Sequence, residues 1–490
     1  MSALMAGCAG LYPGGAAPEA AQLIRQSEAA LGSAEMKTLA FRGRGVSTAV
    51  GQAYASSDPW PVRQMRSFSR AMNFDDLAYR EDFIRGPITA PEDQDSDPRT
   101  AAGPQPDETR GVVLARQAFS WDVVGIAVAP AQTSWQSRMH DLWLSTPQGA
   151  LKAAVRHGAR AGSRREGLRL VNTLSFEVPG QFSATLLLDD QGLVTRIESV
   201  LPEPLLGNVA VRTEFSEYRQ RGALNFPHHI VQHHDDVLVL DVRVRSVDFN
   251  EPLEITVPEN VRTSGNAPAV TFISEGLWLL AGGTHHSVLV EQANALVLVD
   301  APLDDERGRA LLGSARRVVD DKPLGSVVAT HHHLDQTGGL RAVAGAGATV
   351  FISQEAQPWL AAALRRPLTR RPDPLLQRRE PLQLEPVGAL RVLEDTQRPV
   401  ELHAVRDSPH AKGMLMVWLP RERVLVHAEA DGLDANNGGP GGAQGQDSAL
   451  QNLLDNVARL GLAPLQFVSL YTGRQDAAEV YRAAGRAMPR

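Results

Sequence analysis

The stretch 324-LGSVVATHHHLDQTGG-339 places His331, His332, His333 and Asp335 directly after a short apolar run. Residues 324–330 read as a short buried strand, so the histidines fall on a strand-end loop, where open α/β layers place their ligands. In a nearly extended segment, residues two apart point the same way. His331 and His333 therefore share a side, and His332 points away from it. Gly338 and Gly339 predict a tight turn into a helix. One histidine in such a place reads as a solvated loop; three with an aspartate point to a metal.

Working outward, residues 266–490 alternate strands and helices. "AVTFISEGLWLLAG" and "HSVLVEQANALVLVDAP" read as strands, "DDERGRALLGSARRVV" as a helix, and "LRAVAGAGATVFIS" as a short helix, a Gly turn and a strand. "EAQPWLAAALRR" is helical. "VELHAV", "GMLMVWL", "RVLVHAE" and "LQFVSLYTG" are strands. "DSALQNLLDNVARLG" predicts a helix capped by Asp447 or Ser448 and stopped by Gly461. Mixed strands with alternating helices imply layered α/β packing.

Upstream, Pro18 to Leu31 reads as a helix, and 37–261 reads mostly as strands. "QFSATLLLDDQGLVTRIESV" is a hairpin around Asp-Asp-Gln-Gly, and "VLVLDVRVRSVDF" alternates as a half-buried antiparallel strand. One helix, "TPQGALKAAVRHGA", interrupts them, with Pro147 in its first turn. The Pro/Asp/Gly-rich run from Ile88 to Gly111 reads as a long loop. A Pro/Gly/Ser linker near residue 265 divides the chain into a tether at 1–17, a β-rich domain at 18–265 and a second domain at 266–490. The fold class is therefore α+β.

A chain of 490 residues is too long for one ordinary core. A net charge of −7, no basic block and 5% aromatics give no basis for nucleic-acid binding. Cys8 is the single cysteine, so neither an internal disulfide nor a cysteine zinc cluster can form. "LMAGCAG" around Cys8 is similar to the end of a bacterial lipoprotein signal, which implies a lipid on Cys8 and a periplasmic or membrane-anchored protein. No other stretch approaches the roughly 20 apolar residues of a membrane span.

"THHHLDQTGG" resembles the T-H-x-H-x-D-H-x-G-G signature of the metallo-β-lactamase superfamily, and the resemblance extends over roughly residues 268–490. It implies an αβ/βα sandwich with metals at the strand ends along one edge. It assigns His331, His333 and, in "DSPHAKGML", His410 to a first metal site. Asp335 and Glu429 stand at a second site, where Gln336 and Thr472 (or Tyr471) replace histidines. Asp300 matches a buried acid that supports the histidine loop. The layout with a β-rich first half resembles exported bacterial proteins of this fold, and "TEFSEYRQRGALNFPHHI" resembles the half-barrel of lipoprotein-carrier-like domains.

Three imidazoles suit zinc, whereas an oxygen-only second site suits a harder ion and is weak or empty. The expected function is a mononuclear zinc hydrolase acting through water on an ester, amide or lactone-type bond of a small molecule. Asp335 would orient the water or act as general base, and Glu429 would hydrogen-bond the water or the leaving group. The alternatives are a non-catalytic binding or structural module, and a lipoprotein whose first domain carries an apolar ligand.

Other histidines read as structural. His228, His229, His233 and His234 fit a polar turn at a sheet edge rather than a metal patch. His285 and His286 fit a surface turn better than a substrate contact. His403 and His427 alternate with apolar strand residues, although His427 shares a face with Glu429. The Gly-rich run 434–447 reads as a flexible loop rather than a lid. There is no nucleophile elbow and no dinucleotide fingerprint.

Overall fold

The continuous apolar runs around the histidine loop are explained by burial on both faces. In the strands Ser287–Glu291 and Leu296–Val299, Val288, Val290, Val297 and Val299 enter one core, while Leu289, Leu296 and Leu298 enter another. Val328 and Phe351 join the first set, and Val327, Val350 and Ile352 the second. Side chains alternate along a strand, so such a strand needs apolar residues at every position.

The computed structural model describes residues 18–88, 108–124, 127–130, 135–263, 267–369, 373–428 and 442–488. The expectations for Cys8 and residues 1–17, for Glu429, for the start of the Gly-rich run, for most of the loop after Ile88, and for a boundary at 265 fall on residues outside these.

The C-terminal half is a sandwich of a seven-stranded and a six-stranded sheet. The inner core lies between the sheets, where Val288, Val297 and Phe351 face Leu402, Val417 and Leu425. Helices Asp305–Val318, Leu340–Gly345 and Gln357–Arg365 cover the first sheet through Leu311, Val343 and Leu360. Helix Gly442–Arg459 covers the second through Leu453, Leu454 and Val457. It begins at Gly442, so neither Asp447 nor Ser448 is its cap: packing of its apolar face carries the helix past the residues that read as a start signal. Gly461, with φ +66°, follows its end as expected.

The N-terminal half is one antiparallel sheet of 13 strands. Its first strand, Thr38–Thr48, pairs with its last, Val237–Phe249, from Leu39↔Phe249 to Ser47↔Leu240. Two meandering arms spread from that pair to edges at Ala127–Pro130 and Arg160–Glu166. Two helices join those edges, where the sequence pattern showed only one. Besides Pro147–Arg156 there is Trp135–Leu144, whose Met139, Leu142 and Trp143 are buried. Its apolar stripe is broken by Arg138 and Asp141, and the hollow of the sheet supplies the packing that its own pattern lacks.

That second helix also reports the curvature of the sheet. It touches Ala78–Gly86 in one arm and Val194–Glu203 in the other. These strands are six steps apart in the sheet order, about 29 Å if flat at ~4.8 Å per step. The helix has 10 residues and is about 15 Å long. The sheet therefore wraps around it as a half-barrel, with Phe41, Phe68, Met72, Phe182, Leu186 and Phe226 in the enclosed core.

The two halves share a core. The tip of the hairpin formed by Val194–Glu203 and Gly207–Arg221 inserts Leu205, Leu206 and Val209 among Leu296, Leu311 and Leu360. Arg341, fully buried, donates to the Leu205 carbonyl at 3.3 Å from the far side of that contact. No helix among the described residues is long and apolar enough to cross a membrane.

Candidate metal centre

The strand Leu324–Val328 runs parallel to Leu296–Val299 and Thr349–Ser353, and its C-terminal end delivers the histidine loop to the edge of the sandwich. Asp300 ends the neighbouring strand in a left-handed conformation (φ +58°) and is wholly buried. Its Oδ1 accepts the Thr330 N–H at 2.7 Å and its Oδ2 accepts the Thr330 hydroxyl at 2.6 Å. Burial pushes the Asp300 carboxyl up to about 7, against these two donors. When Asp300 is ionised the Thr330 proton is committed to it, so Thr330 Oγ1 then accepts from His331 Nδ1, 3.2 Å away. This places the His331 lone pair on Nε2.

His333 is set by the opposite logic. Its Nε2 lies 2.9 Å from the Ala53 carbonyl oxygen, which can only accept. Nε2 therefore carries the proton and Nδ1 the lone pair. That Nδ1 is buried and has no hydrogen-bond partner. His410 arrives from the loop between Val400–Ala404 and Leu415–Leu419, steadied by its N–H to Ser408 Oγ at 3.1 Å.

Nε2 of His410 stands 3.2 Å from Nε2 of His331. Two ligand nitrogens on a tetrahedral zinc are about 3.3 Å apart, given Zn–N of ~2.0–2.1 Å. The three ring centroids form a nearly equilateral triangle of 4.7, 4.9 and 4.7 Å, with rings 73–80° from one another. One ligand atom from each of His331, His333 and His410 falls within 4.8 Å of the others. Burial, then mutual repulsion, lowers His331 well below its ordinary value, and burial likewise lowers His333 and pushes His410 down to about 4. The set is thus neutral near pH 7, the form that binds metal. An orphaned buried Nδ1, converging lone pairs and neutral rings fit a divalent cation.

Both Asp335 oxygens are hydrogen-bonded to neighbouring side chains. Its Oδ2 is 3.2 Å from His285 Nε2 and its Oδ1 accepts the Gln52 amide at 3.1 Å. Burial pushes this carboxyl up, but the hydrogen bond and charge of His285 outweigh burial and, with His333 and His331, hold it well below the usual carboxylate range. Gln336 is fully buried beside it, and neither amide atom has a hydrogen-bond partner. Thr472 lies on the turn after Gln466–Ser469, its N–H bonded to Ser469 Oγ at 3.2 Å.

One of the site readings from the pattern is corrected here. His285 is no surface turn: it is 1% exposed, lies against Tyr471 and holds Asp335. The Gly-Gly pair makes the expected turn into the next helix, with φ, ψ of −58°, −29° at Gly338 and −86°, −2° at Gly339, the angles of a type I turn that any residue can adopt. Close approach is what demands glycine, because a Cβ on Gly338 would stand 1.9 Å from the Leu303 carbonyl oxygen. His332 is no member of the three-histidine cluster: its ring lies edge-on to Trp359, and its Nε2 bonds the Ala53 carbonyl at 2.9 Å.

The remaining histidines are held structurally. His229 bonds Asp241 at 2.9 Å, His403 bonds Glu401 at 2.8 Å, and His427 packs edge-on against Phe467. Among the described residues no second cluster of three metal-capable groups forms. Gln52 and Ala53 escaped sequence reasoning altogether. They lie 283 and 280 residues from their partners Asp335 and His333, and neither residue type marks a site.

Thr330→Val keeps the shape of the side chain and removes the hydroxyl between Asp300 and His331. Loss of such a partner costs roughly 10–100-fold in metal affinity, and a competition titration against a chromophoric chelator would read it. An unchanged affinity would mean that the ring of His331 is oriented by packing alone.

The sequence model described as the metallo-beta-lactamase superfamily matches residues 280–455. No curated protein sequence matches the chain. Among solved structures, a metallo-beta-lactamase from Pontibacter korlensis is similar at 18% identity and TM-score 0.35, over 44% of this chain and 97% of that one. DIM-1 metallo-beta-lactamase exposed to ceftazidime is similar at 17% identity and TM-score 0.34, over 45% and 95%. Rubredoxin oxygen:oxidoreductase from Desulfovibrio gigas gives 16% and 0.35, over 44% and 60%. Nothing about the site rests on these three likenesses. The family match falls on the two-sheet sandwich and spans all three histidines, so this part of the chain carries the fold of the metallo-β-lactamase superfamily.

Proposed function

We propose that the protein is a mononuclear metal-dependent hydrolase, with zinc on His331 Nε2, His333 Nδ1 and His410 Nε2. The observation that carries this reading is the pairing of a complete neutral histidine triad with an Asp335 whose two oxygens each already accept one hydrogen bond. A zinc ion held there supplies Lewis acidity and acidifies a water to a pKa of about 7. Asp335 keeps a fixed negative charge beside the three neutral rings and offsets the charge of a divalent cation. Held firmly ionised, it is a weak proton acceptor, so it orients a water rather than deprotonating one. The substrate is a small molecule carrying an ester, amide or lactone-type bond.

Metal analysis of protein purified without added zinc is expected to give about one ion per chain. Ester, lactone, lactam and phosphodiester panels are expected to contain a substrate whose turnover is lost with chelator and restored by zinc. Metal well below one ion per chain would sink the reading. One observation favours a second reading, a metal-held structural module: His331 and His333 are 0% and 2% exposed. One bound ion with no turnover on any panel would select it.

A further inference from the structure

The loop between Thr38–Thr48 and Val62–Asn73 belongs to the N-terminal sheet, yet it lies against the metal-bearing loops of the other half. The Gly51 carbonyl accepts the Leu334 N–H at 3.4 Å, and the Ala53 carbonyl accepts His332 and His333 at 2.9 Å each. Gln52 donates to Asp335 at 3.1 Å. On the other side, the Tyr54 carbonyl accepts the Lys412 N–H at 2.7 Å and the Tyr54 hydroxyl donates to the Ser408 carbonyl at 3.2 Å. Ser408 and Lys412 flank His410, so four consecutive residues bridge both histidine loops. Ala53 is 3% exposed, which makes this a built contact and not a surface touch.

We propose that this loop is part of the metal centre: Ala53 locks His333 in its metal-binding tautomer, Gln52 holds the Asp335 oxygen that a second cation would need, and Tyr54 ties the His410 loop in place. The site is then complete only in the two-domain chain, and it is set for one ion. The last point rests on the one-metal reading above.

The chemistry is that of outer-shell partners. A carbonyl on one ring nitrogen fixes which nitrogen offers its lone pair, and an amide N–H on a carboxylate satisfies charge that would otherwise attract a cation. Gly51 gives the means to disturb it. Its φ is +76°, and a Cβ there would stand 2.3 Å from Leu334 Cγ. Gly51→Val is therefore a wedge between the loop and the histidine segment. Gln52→Glu is the milder variant, placing a second carboxylate against Asp335.

The test uses the full chain, cobalt(II) as the metal probe and ¹⁵N-labelled histidine. In the metal-free protein, His333 is expected to carry its proton on Nε2. Gly51→Val is expected to convert it to a tautomer mixture and to weaken cobalt binding roughly 10–100-fold. Gln52→Glu is expected to raise the stoichiometry from one cobalt toward two. Should Gly51→Val lose its circular dichroism, Gln52→Glu decides. Unchanged tautomer and cobalt affinity in a folded Gly51→Val chain overturn the locking role, and a Gln52→Glu chain that still takes one cobalt overturns the one-ion role. If the parent chain binds no cobalt while Gly51→Val still unlocks His333, the positioning role stands and the hydrolase reading fails.

Discussion

Replacing His331 with alanine is expected to strip the protein of its metal. Its Nε2 faces His410 Nε2 at 3.2 Å, and its other nitrogen is held through Thr330 to the buried Asp300. A protein zinc site of this kind is worth ~10–16 kcal/mol, so losing one of three protein ligands costs about 4 kcal/mol, or about a thousandfold in affinity. His333→Ala and His410→Ala should match it. His332→Ala should not, because His332 donates to Ala53 and contributes no ligand. Metal-to-protein ratios after gel filtration would check this, with hydrolytic turnover following the metal content. A His331→Ala chain that kept one ion per protein would place the metal elsewhere and remove the basis for the proposed chemistry.

The second large effect concerns the joint between the halves. Arg341→Met is expected to destabilise the C-terminal half by about 3–5 kcal/mol, the usual cost of breaking a buried ion pair by removing one partner. Arg341 has no exposed surface and pairs with Asp373 at 2.6 Å, where the acid's side chain is 2% exposed. It also donates to the carbonyls of Leu205, Ala363 and Arg366 at 3.3, 3.0 and 2.6 Å. Methionine fills the volume but leaves Asp373 charged in the interior and three carbonyls short of a donor. For a unit of this size the transition midpoint should fall by roughly 10 °C, seen in the fluorescence of Trp278, Trp359 and Trp418. Arg341→Lys should fall between, since one ammonium cannot reach four acceptors in the fork that a guanidinium presents. A shift of only about a degree would mean that the hairpin tip and its hydrophobic partners hold the joint without the arginine.

Much of the second half was legible from local pattern. Valine and leucine at every position of residues 296–299 read as a strand, and the structure covers that strand on both sides. The His331 to Asp335 spacing after such a strand named the triad's first two members, and the family likeness named His410. What the pattern misjudged had a common cause. His285 in "GGTHHSV" carries every mark of a surface turn, and only packing against Tyr471 and Asp335 buries it. Trp135–Leu144 lacks a clean apolar stripe, and only the hollow of a curved sheet makes it a helix.

Sequence by itself determined the chemistry on offer at the edge of the sandwich: which imidazoles, which carboxylate, and which positions lack histidine. For His331, His333, Asp335 and Gln336 these are local facts, written a few positions apart on one strand end, while His410, 79 residues from His331, came from the family likeness. The tertiary structure alone decided how that chemistry is held. Ring tautomers depend on the group facing the other nitrogen, and for His333 that group is a backbone carbonyl 280 residues away. A carbonyl is present in every residue, so no side-chain pattern could have singled out Ala53. Gln52 stands beside Asp335 only because two cores pack as one around Leu205 and Leu206.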